Sequence, residues 1–402
     1  MKKTANGASR GGKPGSANAA ITQALRERGV LSQAELARLT GLGKATVSRA
    51  VSDLQRLGLV IDAGRSLSPA GGASGRPAAA LTLNPNSGTC VGIQLGLNTI
   101  RAVLADVSHS ILASRVAHVD WDYSPEQAAE AAAALIDELQ GEAASDPDSL
   151  IAVGIAMPSP VHPATGHVIK SSVIGTWGGM RVTEMFEERL QRTVFLENES
   201  KCAALAEMTW GAAKGLSNFA YLKTEAGVGG AVVANGKLQR GVSGGAGEFG
   251  HLTYDPNGPL CRCGNRGCFE VYLSDWALLK PLRPTYGDSF SLAEAIELAH
   301  AGDKGCQRIL FDAAEILARC LATACNVLNP EALVIAGSLL PAGDLLTVPL
   351  RQFLARHVLI ALEESEIGPA TKLLMASLGR DASALGAMGL ALRQIGDSAT
   401  TG

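Results

Sequence analysis

Three of the eight cysteines in this chain, Cys261, Cys263 and Cys268, fall within eight residues, and His251 stands ten residues ahead of them. One imidazole and three thiolates spaced His-x9-Cys-x-Cys-x4-Cys form a closed Cys₃His set, the donor set of a tetrahedral structural zinc (Zn2+). Gly264 and Gly267 let the loop between the last two cysteines turn sharply. Any fold the chain adopts must bring these four positions to one point. The other cysteines, Cys90, Cys202, Cys306, Cys320 and Cys325, sit in apolar or Ala-rich stretches and read as small buried hydrophobes. A disulfide framework is the rival reading. Met1 to Ala20 is polar with no apolar signal segment, so a reducing, cytoplasmic setting is expected and metal is favoured. No stretch approaches 18 uninterrupted apolar residues, so no membrane span is expected.

The net charge of −3 conceals a split. Residues 1–86 hold 12 Lys/Arg against 4 Asp/Glu, or +8, which leaves −11 for residues 87–402. A basic front on an acidic body points to a nucleic-acid module joined to something else. Lys2, Lys3, Arg10 and Lys13 supply four of the twelve from a Gly/Ser/Lys-rich stretch, 1–18, expected to be a disordered tail. At 402 residues, 47% apolar and 18% charged, the chain has the composition of a folded protein of two or three domains.

Residues 19–85 carry three helix patterns and a hairpin. Ile21, Ala24 and Leu25 set the first. Ser32 and Glu35 form a capping box for the second, whose inward face is expected to be Ala34, Leu36, Ala37 and Leu39. Gly41 occupies a turn that needs positive φ. A third helix from about Lys44 to Leu57 turns Val47, Ala50, Val51 and Leu54 inward. Strand patterns at 59–61 and 80–83 flank a Gly/Ser/Pro loop. Three helices and a hairpin in this order make a winged helix-turn-helix. Its second motif helix would present Lys44, Ala45, Thr46, Ser48 and Arg49 to the major groove of double-stranded DNA. Arg76, in Ser74-Gly75-Arg76-Pro77 at the end of the wing loop, suits a narrow minor groove, with a stiffened linker as the equal alternative.

From residue 86 to 402 the pattern is α/β. Strands at 91–97, 100–106 and 111–119 read as a meander, followed by a helix at 125–139 and a strand at 150–157. A strand at 194–197, a helix at 200–214 and a second hairpin at 220–233 come next. Long helices at 292–301 and 307–328, a strand at 332–336 and a terminal helix at 382–394 complete the reading. A partial recurrence of this order suggests two α/β halves.

The run Gly245 to Glu270, GAGEFGHLTYDPNGPLCRCGNRGCFE, contains E-x-G-H followed by C-x-C-G-x-x-G-C-x-E. It resembles the signature of the ROK family (repressors, open reading frames and kinases). With the helix-turn-helix in front, the resemblance spans about residues 20–396 and points to the repressor branch. It implies a two-lobed actin/hexokinase-like body that senses a sugar or sugar phosphate. By the same resemblance Asn198, Glu199, Glu248, His251 and Glu270 would hold sugar hydroxyls, and His251 would also ligate the metal. Carboxylates and amides suit paired hydrogen bonds to vicinal hydroxyls.

The kinase pattern is broken in several places. Glu199 stands where the kinases carry their catalytic Asp, and displacing that carboxylate by about 1 Å can cost ~10²-fold in rate. The first phosphate loop reads Gln94-Leu95-Gly96-Leu97-Asn98, with Gln94 for Asp and Leu97 for Gly. Gly227-Val228-Gly229-Gly230 and Gly337-Ser338 keep phosphate- and adenosine-loop glycines. Val173 replaces a sugar-contacting Asn beside Trp177. The expectation is therefore a sugar-responsive repressor that is not an enzyme and binds an inverted-repeat operator as a homodimer, homotetramer or other oligomer. The rivals are an ATP-dependent sugar kinase with a DNA-binding head, and a scaffold that binds no sugar.

Overall fold

The computed structural model describes residues 14–64, 80–169, 177–359, 362 and 370–398. The chain opens with α1 (Pro14–Arg28), β1 (Leu31–Ser32), α2 (Gln33–Thr40), α3 (Lys44–Arg56), β2 (Val60–Asp62) and β3 (Ala80–Leu83). Residues 14–18, expected in a disordered tail, instead form the first turns of α1. Pro14 is tolerated at a helix start, and Ala17, 4% exposed, packs one turn before Ile21 in the same core. The rest of that tail lies outside the described residues.

Ser32 accepts a hydrogen bond from the Glu35 N–H while the Glu35 carboxylate accepts from the Ser32 N–H, closing the capping box at 3.3 and 2.8 Å. Gly41 ends α2 at φ 69°. Of the four residues expected on the inward face of α2, Leu36 is buried and Ala37 half-buried, whereas Ala34 and Leu39 are exposed. At about 100° per residue, a stripe centred between Leu36 and Ala37 leaves Ala34 and Leu39 on opposite flanks. All four inward positions of α3 are buried. The wing sheet has the order β1-β3-β2. Its third member, β1, is two residues long and abuts a helix cap, too short for an alternation signal.

Two five-stranded sheets follow. The first runs β6-β5-β4-β7-β8, from β4 (Thr89–Leu95), β5 (Thr99–Asp106), β6 (Ile111–His118), β7 (Leu150–Met157) and β8 (Val194–Asn198). Helices α4 (Pro125–Glu142) and α5 (Val182–Leu190) accompany it, and α6 (Glu199–Trp210) leaves its last strand. The second sheet runs β11-β10-β9-β12-β13, from β9 (Phe219–Thr224), β10 (Val228–Ala234), β11 (Lys237–Gln239), β12 (Ala332–Gly337) and β13 (Lys372–Met375). Each is an antiparallel meander extended by two parallel strands, so the two halves share one topology. Between β11 and β12 lie α7 (Glu270–Leu273), α8 (Asp275–Leu279), α9 (Arg283–Tyr286), α10 (Leu292–His300) and α11 (Lys304–Leu328). Then come α12 (Asp344–His357) and, after β13, α13 (Ala382–Ser398). Sequence periodicity misses α5, α7, α8, α9, α12, β11 and β13. Pro349 interrupts the α12 pattern, and the two strands are three and four residues long.

Helix α13 packs on β4 and β7, crosses α6 and meets α1. One apolar core therefore joins Ile21, Leu25 and Val51 of the head to Cys90 and Val103 of the first sheet through Leu385, Met388 and Leu392 of α13. His109, in the β5–β6 turn at φ 72°, stands edge-on to Trp210 at 4.9 Å within this junction. Both of its ring nitrogens are buried and have no hydrogen-bond partner among the described residues.

Burial, with Arg26 of α1 and Arg393 of α13 nearby, pushes the His109 imidazole from 6.5 down to about 3. Between these values the unfolded chain takes a proton that the folded chain refuses. Stability is therefore full above about pH 6.5 and falls as pH drops, by at most ~1.4 kcal/mol per pH unit from this group. Asn tolerates positive φ and does not titrate. His109→Asn should thus lose less melting temperature between pH 7 and pH 5 than the wild type. Parallel losses would assign the acid sensitivity to another group.

Candidate functional site

On α3 the residues Lys44, Ala45, Ser48 and Arg49 are exposed and Thr46 is half-buried, opposite the buried face of Val47, Ala50, Val51 and Leu54. Gly43 supplies no side-chain cap, which leaves N–H groups of the first turn unclaimed by side chains and suited to an anion such as phosphate. Neither Lys44 nor Arg49 forms an ion pair among the described residues. Arg76 and the wing tip lie outside the described residues, as does Val173.

The five residues expected to meet a sugar, Asn198, Glu199, Glu248, His251 and Glu270, line one cleft of about 220 Å³. The end of β4, the β8–α6 junction, the β9–β10 turn and the loop from 248 to 270 build it. Asn198 also caps α6, its Oδ1 accepting from the N–H groups of Ser200 and Lys201 at 3.0 and 3.2 Å. One side chain thus both caps the helix and lines the cleft. Glu199 accepts from Gln94 Nε2 at 3.1 Å and faces Lys223 Nζ at 3.2 Å. Burial pushes the Glu248 carboxyl up, against the pull of Lys201 and His251. Glu270 is held by Arg262 through Nε at 2.8 Å and Nη2 at 2.7 Å, and accepts from the Val228 N–H at 3.3 Å. Leu97 lines the same cleft, on the turn where the kinase pattern has glycine.

Lys223, Glu225 and Arg262 escaped the sequence reading. Lys223 is buried between Glu199 and Glu225, at 3.2 and 3.0 Å. Burial opposes its charge, but the two carboxylates outweigh that and hold the ammonium above its ordinary range. The available signal was a lysine inside an otherwise buried strand, which only carboxylate partners make tenable. Gly337 and Ser338 have a packing reason: a Cβ at Gly337 would lie 1.9 Å from the Thr224 carbonyl oxygen, and Ser338 Oγ donates to that same oxygen at 3.0 Å.

His251, Cys261, Cys263 and Cys268 gather with all ligand atoms within 4.8 Å of one another. Cys263 and Cys268 Sγ are 3.7 Å apart, and Cys261 Sγ lies 3.7 Å from His251 Nδ1. A tetrahedral ion with metal–sulfur bonds of about 2.3 Å places its sulfurs roughly 3.8 Å apart, so the donor set fits. The loop closes because Gly267, at φ 60°, passes where a Cβ would lie 1.6 Å from the Asp255 carbonyl oxygen. Burial and the neighbouring thiols push Cys268 up to about 12. Without a cation, Cys261 and Cys268 resist becoming thiolates.

Comparison with known proteins follows the same division. The ROK family model matches residues 90–394 and a MarR family model matches residues 23–65. The chain is 33% identical over 356 residues to the xylose repressor of Bacillus subtilis (strain 168), covering 89% of each. It superposes with a TM-score of 0.67 on a ROK family glucokinase from Streptomyces griseus solved with glucose and AMPPNP, at 27% identity over 76% of this chain and all of that one. With a ROK family transcriptional regulator, a homologue of the E. coli MLC protein, the TM-score is 0.79 over 96% of this chain and 98% of that one; at 20% identity this likeness speaks to fold alone. No helix among the described residues is long and apolar enough to cross a membrane. A MarR-type winged helix in front of a sugar-kinase-like body, matched over 89% of its length by the xylose repressor and over 76% by the glucokinase, shows that the chain belongs to the ROK family, on its transcriptional-repressor side.

Proposed function

We propose that this protein represses its target genes by binding an inverted-repeat operator as a dimer or higher oligomer, and that a sugar in the body cleft alters that binding. The observation that carries the reading is the convergence of Asn198, Glu199, Glu248, His251 and Glu270 on one cleft between two lobes that α13 links to the head. The head ends near residue 85 and the body spans 86–402. His251, Cys261, Cys263 and Cys268 would hold one zinc, which would supply structural closure to the loop that carries three of those five residues. Sugar binding favours one lobe arrangement over another only if its affinity differs between them.

The test is a thermal-shift screen of the whole chain against a sugar panel, paired with operator gel shifts with and without each hit. Arg49→Ala should weaken operator binding by roughly 10-fold or more, the value of about one good base contact, and leave the melting temperature unchanged. Absence of any sequence preference over bulk DNA at physiological salt would refute the repressor reading.

A sugar kinase is the second reading, favoured by the likeness to the glucokinase. Glu199 argues against it: the carboxylate that would accept the sugar proton is already paired with Lys223 and bonded to Gln94. Transfer also needs bare backbone at the phosphate loops, where Leu97 stands. The expected ADP release with common hexoses, pentoses and N-acetylated amino sugars is far below ~1 s⁻¹, the low end of enzyme rates. Turnover near that value that vanished in Glu199→Gln would establish the kinase.

A further inference from the structure

Four carboxylates, Glu199, Glu225, Glu248 and Glu270, line the cleft against two cations, Lys223 and Arg262. Both cations are engaged. Lys223 is shared by Glu199 and Glu225, and its side chain is 8% exposed. Arg262 is spent bidentately on Glu270. The Arg262 guanidinium also lies across the glycine turn, where a Cβ on Gly227 would meet Nη2 at 2.7 Å. Two of the turn's backbone donors are occupied too: the Val228 N–H points to Glu270, and the Glu225 N–H donates to the Gly227 carbonyl at 2.9 Å. A further cation, the buried Lys201, donates to the Gly244 carbonyl outside this lining.

We infer that the cleft selects an uncharged, unphosphorylated sugar, with the Lys223–Glu225 and Arg262–Glu270 pairs as the determinants that turn away phosphate esters and nucleotides. This rests on the reading of the cleft as the effector site and narrows its ligand class. A phosphate ester brings a charge of about −1.5 to −2 at neutral pH. In a cleft with a surplus of carboxylates it meets repulsion. Recruiting Arg262 would strand the buried Glu270 carboxylate, which is strongly unfavourable, and recruiting Lys223 would leave the half-buried Glu199 and Glu225 without their shared cation. Sugar hydroxyls face no such barrier, because each both donates to a carboxylate and accepts from an N–H.

The test is calorimetric titration of the full chain with D-glucose, D-mannose and N-acetyl-D-glucosamine, each beside its 6-phosphate ester, with D-xylose as a further neutral probe. At least one neutral sugar should bind, and each ester should bind about 100-fold or more weakly than its parent. An ester that binds as tightly as its parent overturns the inference and leaves sugar sensing intact. If no sugar and no ester binds, the effector reading itself fails, and this inference with it. Glu225→Gln, checked for an unchanged circular dichroism spectrum, should raise the ester-to-sugar affinity ratio by about 10-fold by releasing Lys223 from one partner. An unchanged ratio removes the Lys223–Glu225 pair as a determinant.

Discussion

Cys263→Ser should release the metal and silence the response to sugar while most of the helical structure survives. Two of the remaining ligands, Cys261 and Cys268, are buried, and Cys263 is half-buried. The substitution thus alters one of the two half-buried ligands, His251 being the other, and swaps a thiolate for a poor donor. The expected loss of metal affinity is at least about 100-fold, the upper end of what outer-sphere changes alone cause. The consequence for the cleft is geometric. Arg262 sits between two ligands and Glu270 lies two residues beyond Cys268, so an unclamped loop no longer fixes the pair that closes the glycine turn. The main cores are built elsewhere. Cys261, Cys268 and Val271 form a small cluster of their own, separate from the cores of the two sheets. Elemental analysis of untagged protein should give about one zinc per wild-type chain and nearly none in the variant, with sugar-dependent operator release lost. Wild-type protein without zinc, or a variant still inducible by sugar, would sink the assignment.

Local chemistry was legible in the sequence, and long-range contact was not. The Ser32–Glu35 box, the Gly41 turn and the buried face of α3 depend on residues within one or two turns of each other, so spacing alone located them. The metal cluster was legible for a related reason: three thiols and an imidazole in 18 residues leave few alternatives. The cleft was partly legible. Asn198, Glu199, Glu248, His251 and Glu270 were placed by resemblance, and the structure brings all five together. Lys223, Glu225 and Arg262 carry no motif; their meaning lies in partners 24, 2 and 8 residues away, which only folding defines. On the two-turn helix α2, Ala34 and Leu39 cannot share one side with Leu36 and Ala37, so its apolar residues outnumber those its inward face can hold. The role of α13 was hidden altogether, since nothing in its Ala/Gly-rich sequence announces that it touches both the head and the body.

Gly386→Val, on that helix, should be among the most damaging single changes in the chain. A Cβ at Gly386 would lie 1.7 Å from the Cys202 carbonyl oxygen and 2.3 Å from its carbon. Both are backbone atoms of α6, so no rotamer change relieves the clash. Helix α13 cannot retreat either. On its other side a Cβ at Gly154 would meet the Ala387 carbonyl at 1.9 Å, and one at Gly92 the Ala384 carbonyl at 2.0 Å. The helix is wedged between the first sheet and α6, with glycine at each close approach. Overpacking costs typically ~1–3 kcal/mol, and an immovable backbone on both sides puts this case at ~3 kcal/mol or more. The damage should reach the head, because Leu385, Met388 and Leu392 share their core with Ile21 and Leu25 of α1. Operator affinity should therefore fall along with stability, although Gly386 lies far along the chain from α3. Gly141→Ala in α4 is the matched control. No atom lies within 4 Å of a Cβ there, and Ala in a helix is favoured over Gly by roughly 0.5–1 kcal/mol. Denaturant melts and operator gel shifts on both variants decide the matter. If Gly386→Val melts with the wild type, the wedged packing of α13 is wrong. If it melts early yet binds operator as tightly as wild type at low temperature, α13 does not carry the coupling between body and head.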